Sequence, residues 1–182
     1  MKRVLTGLSA LVATLLIGFI GVVTIQPANL HIERSATIEA SPTDVFPLVN
    51  DYQNWGKWAP WLAHEQKTAT SESAAGVGAW TTWEGNQTVR KGKMTITASD
   101  QNRRVVHDLE CMEPFALHGV TTISLAEVDD GTGVTWSLES QQDFTIKMMG
   151  LMIDLDALLG RDIERGLGRL AAVAEASTET PR

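Results

Sequence analysis

Cysteine occurs once in these 182 residues, at Cys111, so no disulfide can form within the chain and no zinc site can be built on paired cysteines. Histidine is sparse as well. His31, His64, His107 and His118 show neither H-x-x-x-H nor H-E-x-x-H spacing, which would set two imidazoles on one helix face, so neither a metal nor another cofactor is expected. Basic charge is short. Of 15 Lys and Arg residues two, Lys2 and Arg3, precede the globular part, leaving 13 against 22 acidic side chains there. Such a surface repels nucleic acid. The basic clusters "VRKGK" (Val89 to Lys93) and Arg103–Arg104 are short and read as solvated hairpin ends. Composition excludes disorder too, since 43% hydrophobic against 20% charged residues can bury one sizeable core.

One stretch lacks charge altogether. "VLTGLSALVATLLIGFIGVVTI", Val4 to Ile25, follows Lys2 and Arg3 and is long enough to cross a bilayer, which takes about 20 apolar residues as helix. A secretory signal peptide has a shorter apolar run, about 7 to 15 residues, and a small-x-small cleavage site. Here "TIQPAN" places Gln26 where a small residue would be needed. Residues 1–28 are therefore expected to be an uncleaved single-pass anchor with a short linker. Positive charge at its start holds that end in the cytoplasm. In a bacterial cell this puts the anchor in the inner (cytoplasmic) membrane and everything after Pro27 on the periplasmic side.

Beyond the anchor, "HIERSATIEA" alternates, with Ile32, Ala36 and Ile38 on one face and Glu33, Ser35, Thr37 and Glu39 on the other, the pattern of a strand with one wet face. In "SPTDVFPLVN", Ser41 can cap a helix, Pro42 suits its first position and Asp44 its first turn. Pro47 does not suit a long helix, and with Asn50 to Gly56 it is expected to break the path into a second short helical piece. From Gly76 to Ser140 follow "GAWTTWE", "GKMTITA", "RRVVHDLEC", "GVTTISLAEV" and "GVTWSLES", separated by turn-forming stretches, with a weaker strand expected between Gln66 and Ser73. Connections this short imply antiparallel neighbours.

After Met149 the period changes. Leu151, Leu155, Leu158, Leu159, Ile163, Leu167, Leu170 and Val173 recur at helical spacing, while Asp156, Arg161, Glu164, Arg165 and Arg169 fall between them and are expected at solvent. Gly160, Gly166 and Gly168 each weaken a helix by up to ~1 kcal/mol, which predicts a kink or a close backbone approach. Residues 177–182 have nothing to bury and read as a disordered tail.

The resulting order is a strand, two short helices, about six antiparallel strands and one long terminal helix. With "RSATIEASPTDVFPLVNDYQNWGKWAPW", "GVGAWTTWEGN", "GTGVTWSLE" and "LDALLGRDIERGLGRLAAVAE" at their places, the stretch from Asn29 to Ala176 resembles the SRPBCC or helix-grip superfamily. That superfamily includes START domains, Bet v 1-like allergens and the polyketide cyclase/dehydratase family, and the chain looks like a membrane-anchored branch of the last. The resemblance implies an α+β helix-grip fold over residues 29–176, with a curved antiparallel sheet wrapped around the C-terminal helix. It also implies a cavity between sheet and helix that commonly takes an apolar ligand.

The candidate site residues follow from that cavity. Three of six tryptophans, Trp55, Trp58 and Trp61, fall within "NDYQNWGKWAPW", as a packed corner or as part of a cavity mouth. Trp80, Trp83 and Trp136 invite the same two readings, and Trp136 shares a face with Val134 and Leu138. His107 alternates with Val105, Leu109 and Cys111 on an apolar face. It is either a hydrogen-bonded core residue or a weak candidate for an acid or base, with Asp108 and Glu110 turned away. Met148, Met149 and Met152 can fill a core or yield to a ligand. The ligand set is thus Trp55, Trp58, Trp80, Trp136, His107, Met148 and Met152. The leading expectation is a membrane-anchored carrier or sensor for a lipid-like or other apolar small molecule. The alternatives are a cyclase, dehydratase or hydrolase acting in the same cavity, and an interaction module with a filled cavity. No protein partner is legible.

Overall fold

The computed structural model describes residues 2–60, 67–85, 91–113 and 116–178. The first helix, α1 (Lys2–Thr24), contains the stretch Thr6–Thr24, which is long and apolar enough to cross a membrane. Its apolar side chains are not spent on the protein core: Leu11, Leu15, Ile17 and Ile20 are exposed. Val23 is the exception, fully buried where the helix reaches the folded part.

From there the chain enters β1 (Asn29–Ile38) and turns into α2 (Pro42–Asn50), capped by Ser41. The Asp44 N–H donates to Ser41 Oγ at 3.3 Å, and the Ser41 hydroxyl donates to the Asp44 carboxylate at 2.6 Å. A one-turn helix, α3 (Tyr52–Trp55), starts on Asp51, whose carboxylate accepts the Gln53 N–H. Six strands follow: β2 (Lys67–Thr70), β3 (Trp80–Glu84), β4 (Lys91–Asp100), β5 (Arg104–Cys111), β6 (Leu117–Val128) and β7 (Gly131–Gln141). With β1 they form one antiparallel sheet in the order β1-β7-β6-β5-β4-β3-β2, so the first strand closes against the last. At the tight turn from β6 to β7, Gly131 has φ +131°, and a Cβ there would lie 2.2 Å from the Ile38 carbonyl oxygen. Only glycine fits.

The long helix expected after Met149 is present, but it begins only at Leu155, and a short helix precedes it. Asp143 caps α4 (Phe144–Gly150) through the Ile146 N–H, and Asp154 opens α5 (Leu155–Thr178) by accepting the Ala157 N–H at 2.9 Å. Leu151 falls in the turn between them and Leu158 on the outer side of α5, both exposed, while Leu155, Ile163, Leu167, Leu170 and Ala174 form the buried stripe.

Two of the three helix glycines serve close approach. A Cβ at Gly166 would sit 3.0 Å from the Trp136 ring, and one at Gly160 would sit 2.1 Å from the Arg34 guanidinium, whereas Gly168 has nothing within 4 Å. Arg34 itself points inward from β1 and binds two turns of α5 at once, donating to Asp156 at 2.8 and 3.2 Å and to Glu164 at 2.7 Å. Glu164 is thus at solvent yet engaged. The sheet curves around α5, with the core of aliphatic residues and tryptophans between them.

Candidate ligand-binding site

The corner after β1 is built by the end of a helix. The last carbonyls of α2 have no N–H partner of their own, and two indoles take them: Trp55 Nε1–H donates to Val49 O at 3.1 Å and Trp58 Nε1–H to Leu48 O at 2.9 Å. Both rings are fully buried. They meet Trp136 of β7 edge to face, with centroids 6.2 and 5.7 Å away, and each other at 4.8 Å. Trp136 donates to Thr121 Oγ1 at 2.6 Å, and that hydroxyl donates on to Ser137 O at 2.8 Å. Tyr52 and His107 extend the cluster, with centroids 5.2 and 5.1 Å from Trp55. Trp61 lies outside the described residues.

His107 sits at the far end of this cluster with no exposed surface. Its Nδ1 is 2.9 Å from the Tyr52 hydroxyl, while Nε2 is buried without a hydrogen-bond partner among the described residues. Burial lowers the imidazole to about 3 and raises the Tyr52 phenol above its usual range. Both groups are neutral near pH 7, and the pair is joined by one neutral hydrogen bond. Cys111 stands further along the same strand and takes no part.

A separate opening lies at one end of the sheet. A cleft of about 1310 Å³ is bounded by the start of β1, the end of β5, the start of β6, the end of β7 and α4. Leu30, Cys111, Leu117, Gly119, Ser140 and Ile146 form its inner wall, while His31, Glu110, His118 and Glu139, which also border it, are the outward-facing neighbours on the same strands. Burial pushes the Cys111 thiol up to about 11, so it contributes a small neutral surface. On that wall Gly119 pairs across strands with Ser140, and the strands approach closely there, since a Cβ at Gly119 would lie 2.6 Å from the Glu139 carbonyl oxygen. The same end carries α1, since the Gln142 N–H donates to Ala28 O in the linker at 2.8 Å.

A family model described as "Polyketide cyclase / dehydrase and lipid transport" matches residues 29–175. The chain belongs to the polyketide cyclase/dehydrase and lipid transport family. Membership points to an apolar ligand. No curated protein matches the sequence. Solved structures share the fold at low identity. A protein of unknown function from Staphylococcus aureus superposes with a TM-score of 0.65 at 13% identity, covering 86% of this chain and 99% of its own. A protein from Nitrosospira multiformis gives 0.62 at 19%, covering 83% and 100%. The Aha1 dimer from Colwellia psychrerythraea gives 0.52 at 16%, covering 74% and 90%.

In this member of the polyketide cyclase/dehydrase and lipid transport family, the residues singled out in the sequence divide. Trp55, Trp58, Trp136 and His107 come together, in a packed cluster between sheet and helix. Trp80 does not join them. On β3 the buried positions are Thr81 and Trp83, so Trp80 lies on the other face, while Trp83 packs flat over Gly92 of β4. Met148 is half-buried on α4, and Met152 is 85% exposed in the turn before α5. The residues missed were Tyr52, whose partner is 55 positions away, and the small inward residues Gly119 and Ser140.

Proposed function

We propose that this protein is a membrane-anchored binding protein for a lipid-like apolar molecule, held in the cleft at the anchor-proximal end of the sheet. One observation carries the reading: the cleft of about 1310 Å³ shares its end of the sheet with the linker of the apolar helix α1. Small-molecule sites of this kind commonly have volumes of about 300–1,000 Å³, apolar walls and a few polar groups. Here Leu30, Leu117 and Ile146 supply the apolar wall, and the Ser140 hydroxyl is a polar group on it. In this reading residues 1–28 are the anchor and linker in the inner membrane, and the domain from residue 29 stands on the periplasmic side. A ligand could then pass between the bilayer and the cleft without crossing open water.

The filled interior favours a second reading. Five rings occupy the space between sheet and α5 where a deep cavity was expected, which suits an interaction module. Lipid extraction and mass spectrometry of the purified full chain, beside a Leu117→Trp variant that fills the cleft, separates the two. Lipid held by α1 is common to both proteins. The carrier reading expects one further species that the variant lacks, and identical extracts would favour the interaction module.

A further inference from the structure

We infer that the segment from Phe144 to Leu158, α4 with the turn into α5, is a second membrane contact that lies in the bilayer interface beside the anchor. The inference rests on α1 being a membrane span. Phe144, Leu151, Met152, Ile153 and Leu158 all expose apolar side chains within this one segment, and Met152 is 85% exposed. A folded surface leaves single apolar residues exposed without consequence, but five in one short stretch mark a surface that something covers.

The neighbouring helix says what covers it. α1 packs against α4, and Val23, in the last turn of the apolar stretch, is fully buried there while Val22 and Ile25 are exposed. The folded part therefore begins at the very end of the candidate span, with Gln26, Pro27 and Ala28 as the linker and Ala28 hydrogen-bonded to Gln142. From Phe144 the turn at Leu151 is only seven residues along a helix, about 10 Å. Acidic groups that would oppose insertion are engaged elsewhere: Asp143 by the Ile146 N–H, Asp154 by the Ala157 N–H and Asp156 by Arg34. A helix and turn that lie in the interface with the apolar side down and Lys147 nearby fit the behaviour of interfacial segments.

The test places one cysteine in the full-length chain, at Leu15→Cys, Met152→Cys or Asp129→Cys, and labels it with an environment-sensitive fluorophore before reconstitution into phosphatidylcholine vesicles. The half-buried Cys111 thiol, raised to about 11, reacts slowly at neutral pH, and the unsubstituted chain is the blank. Asp129 lies in the turn at the other end of β6, twelve residues or about 40 Å from the cleft. The inference expects a blue-shifted emission at Leu15 and Met152, with both quenched by brominated acyl chains, and neither effect at Asp129. Quenching at Leu15 with a water-like, unquenched signal at Met152 overturns it while leaving the anchor in place. A dry but unquenched probe at Met152 that crosslinks to another copy also overturns it, in favour of a protein interface. If Leu15 itself is unquenched, the anchor fails and the inference falls with it.

Discussion

The guanidinium of Arg34 lies directly over Gly160, between Asp156 and Glu164, so that one strand residue fastens two turns of α5. The pairing holds the Asp156 carboxyl below its ordinary range, chiefly through the Arg34 hydrogen bonds. Replacing Gly160 by alanine relieves a helix of glycine, a gain of up to ~1 kcal/mol. With Arg34 present, the added methyl meets the guanidinium 2.1 Å away and displaces it. Gly160→Ala is therefore expected to stabilise the chain by about 1 kcal/mol in an Arg34→Ala background and to give clearly less, or a loss, in the native one. Thermal unfolding of the four proteins checks this, and equal effects in both backgrounds would contradict it.

Stability should fall in mild acid because of His107. Its native value of about 3 lies below the ordinary 6.5 of an unfolded chain, so the unfolded state binds the proton first. The contribution of the neutral ring is complete above pH 6.5 and is lost as pH falls from there toward 3. The slope is at most about 1.4 kcal/mol per pH unit. His107→Phe should flatten the dependence of Tm between pH 7 and 5, where most carboxylates remain ionised. An unchanged slope would mean that the ring is protonated or accessible in the folded state.

Leu170 and Leu158 look alike in the sequence pattern and should behave differently. Leu170 is fully buried against the sheet, so Leu170→Ala is expected to cost about 2–5 kcal/mol, a large part of a typical total of about 5–15. Leu158 is 43% exposed, and its replacement by alanine should change the denaturation midpoint little. Similar losses at both positions would place the helix face wrongly.

Much of the fold is written locally. Alternation in "HIERSATIEA", the cap at Ser41 with Pro42 behind it, and turn residues between strands are contacts within a few positions, and each element stands where they put it. The division of α4 from α5 was written there as well, in Asp154 placed as an N-cap, but the leucine period ran through the break and hid it. The site was less legible for a physical reason. Tyr52 meets His107 across 55 residues, Arg34 meets α5 across more than 120, and the cleft is bounded by the ends of four strands and α4 that only the fold brings together. An indole beside a helix end was visible as three tryptophans, yet only the fold shows the α2 carbonyls taking two of the N–H groups and the rings turned into the core.

The central claim is that an apolar ligand occupies the cleft between β1, β5, β6, β7 and α4. Photo-crosslinking tests it most directly: the full-length chain in vesicles containing a phospholipid with a diazirine in its acyl chain is irradiated, digested and mapped by mass spectrometry. The account predicts adducts on peptides carrying Leu30, Leu117 or Ile146, in addition to those on α1, and their loss in Leu117→Trp. Adducts confined to Thr6–Thr24 and the α4–α5 turn, with none on the cleft wall in either protein, would contradict it.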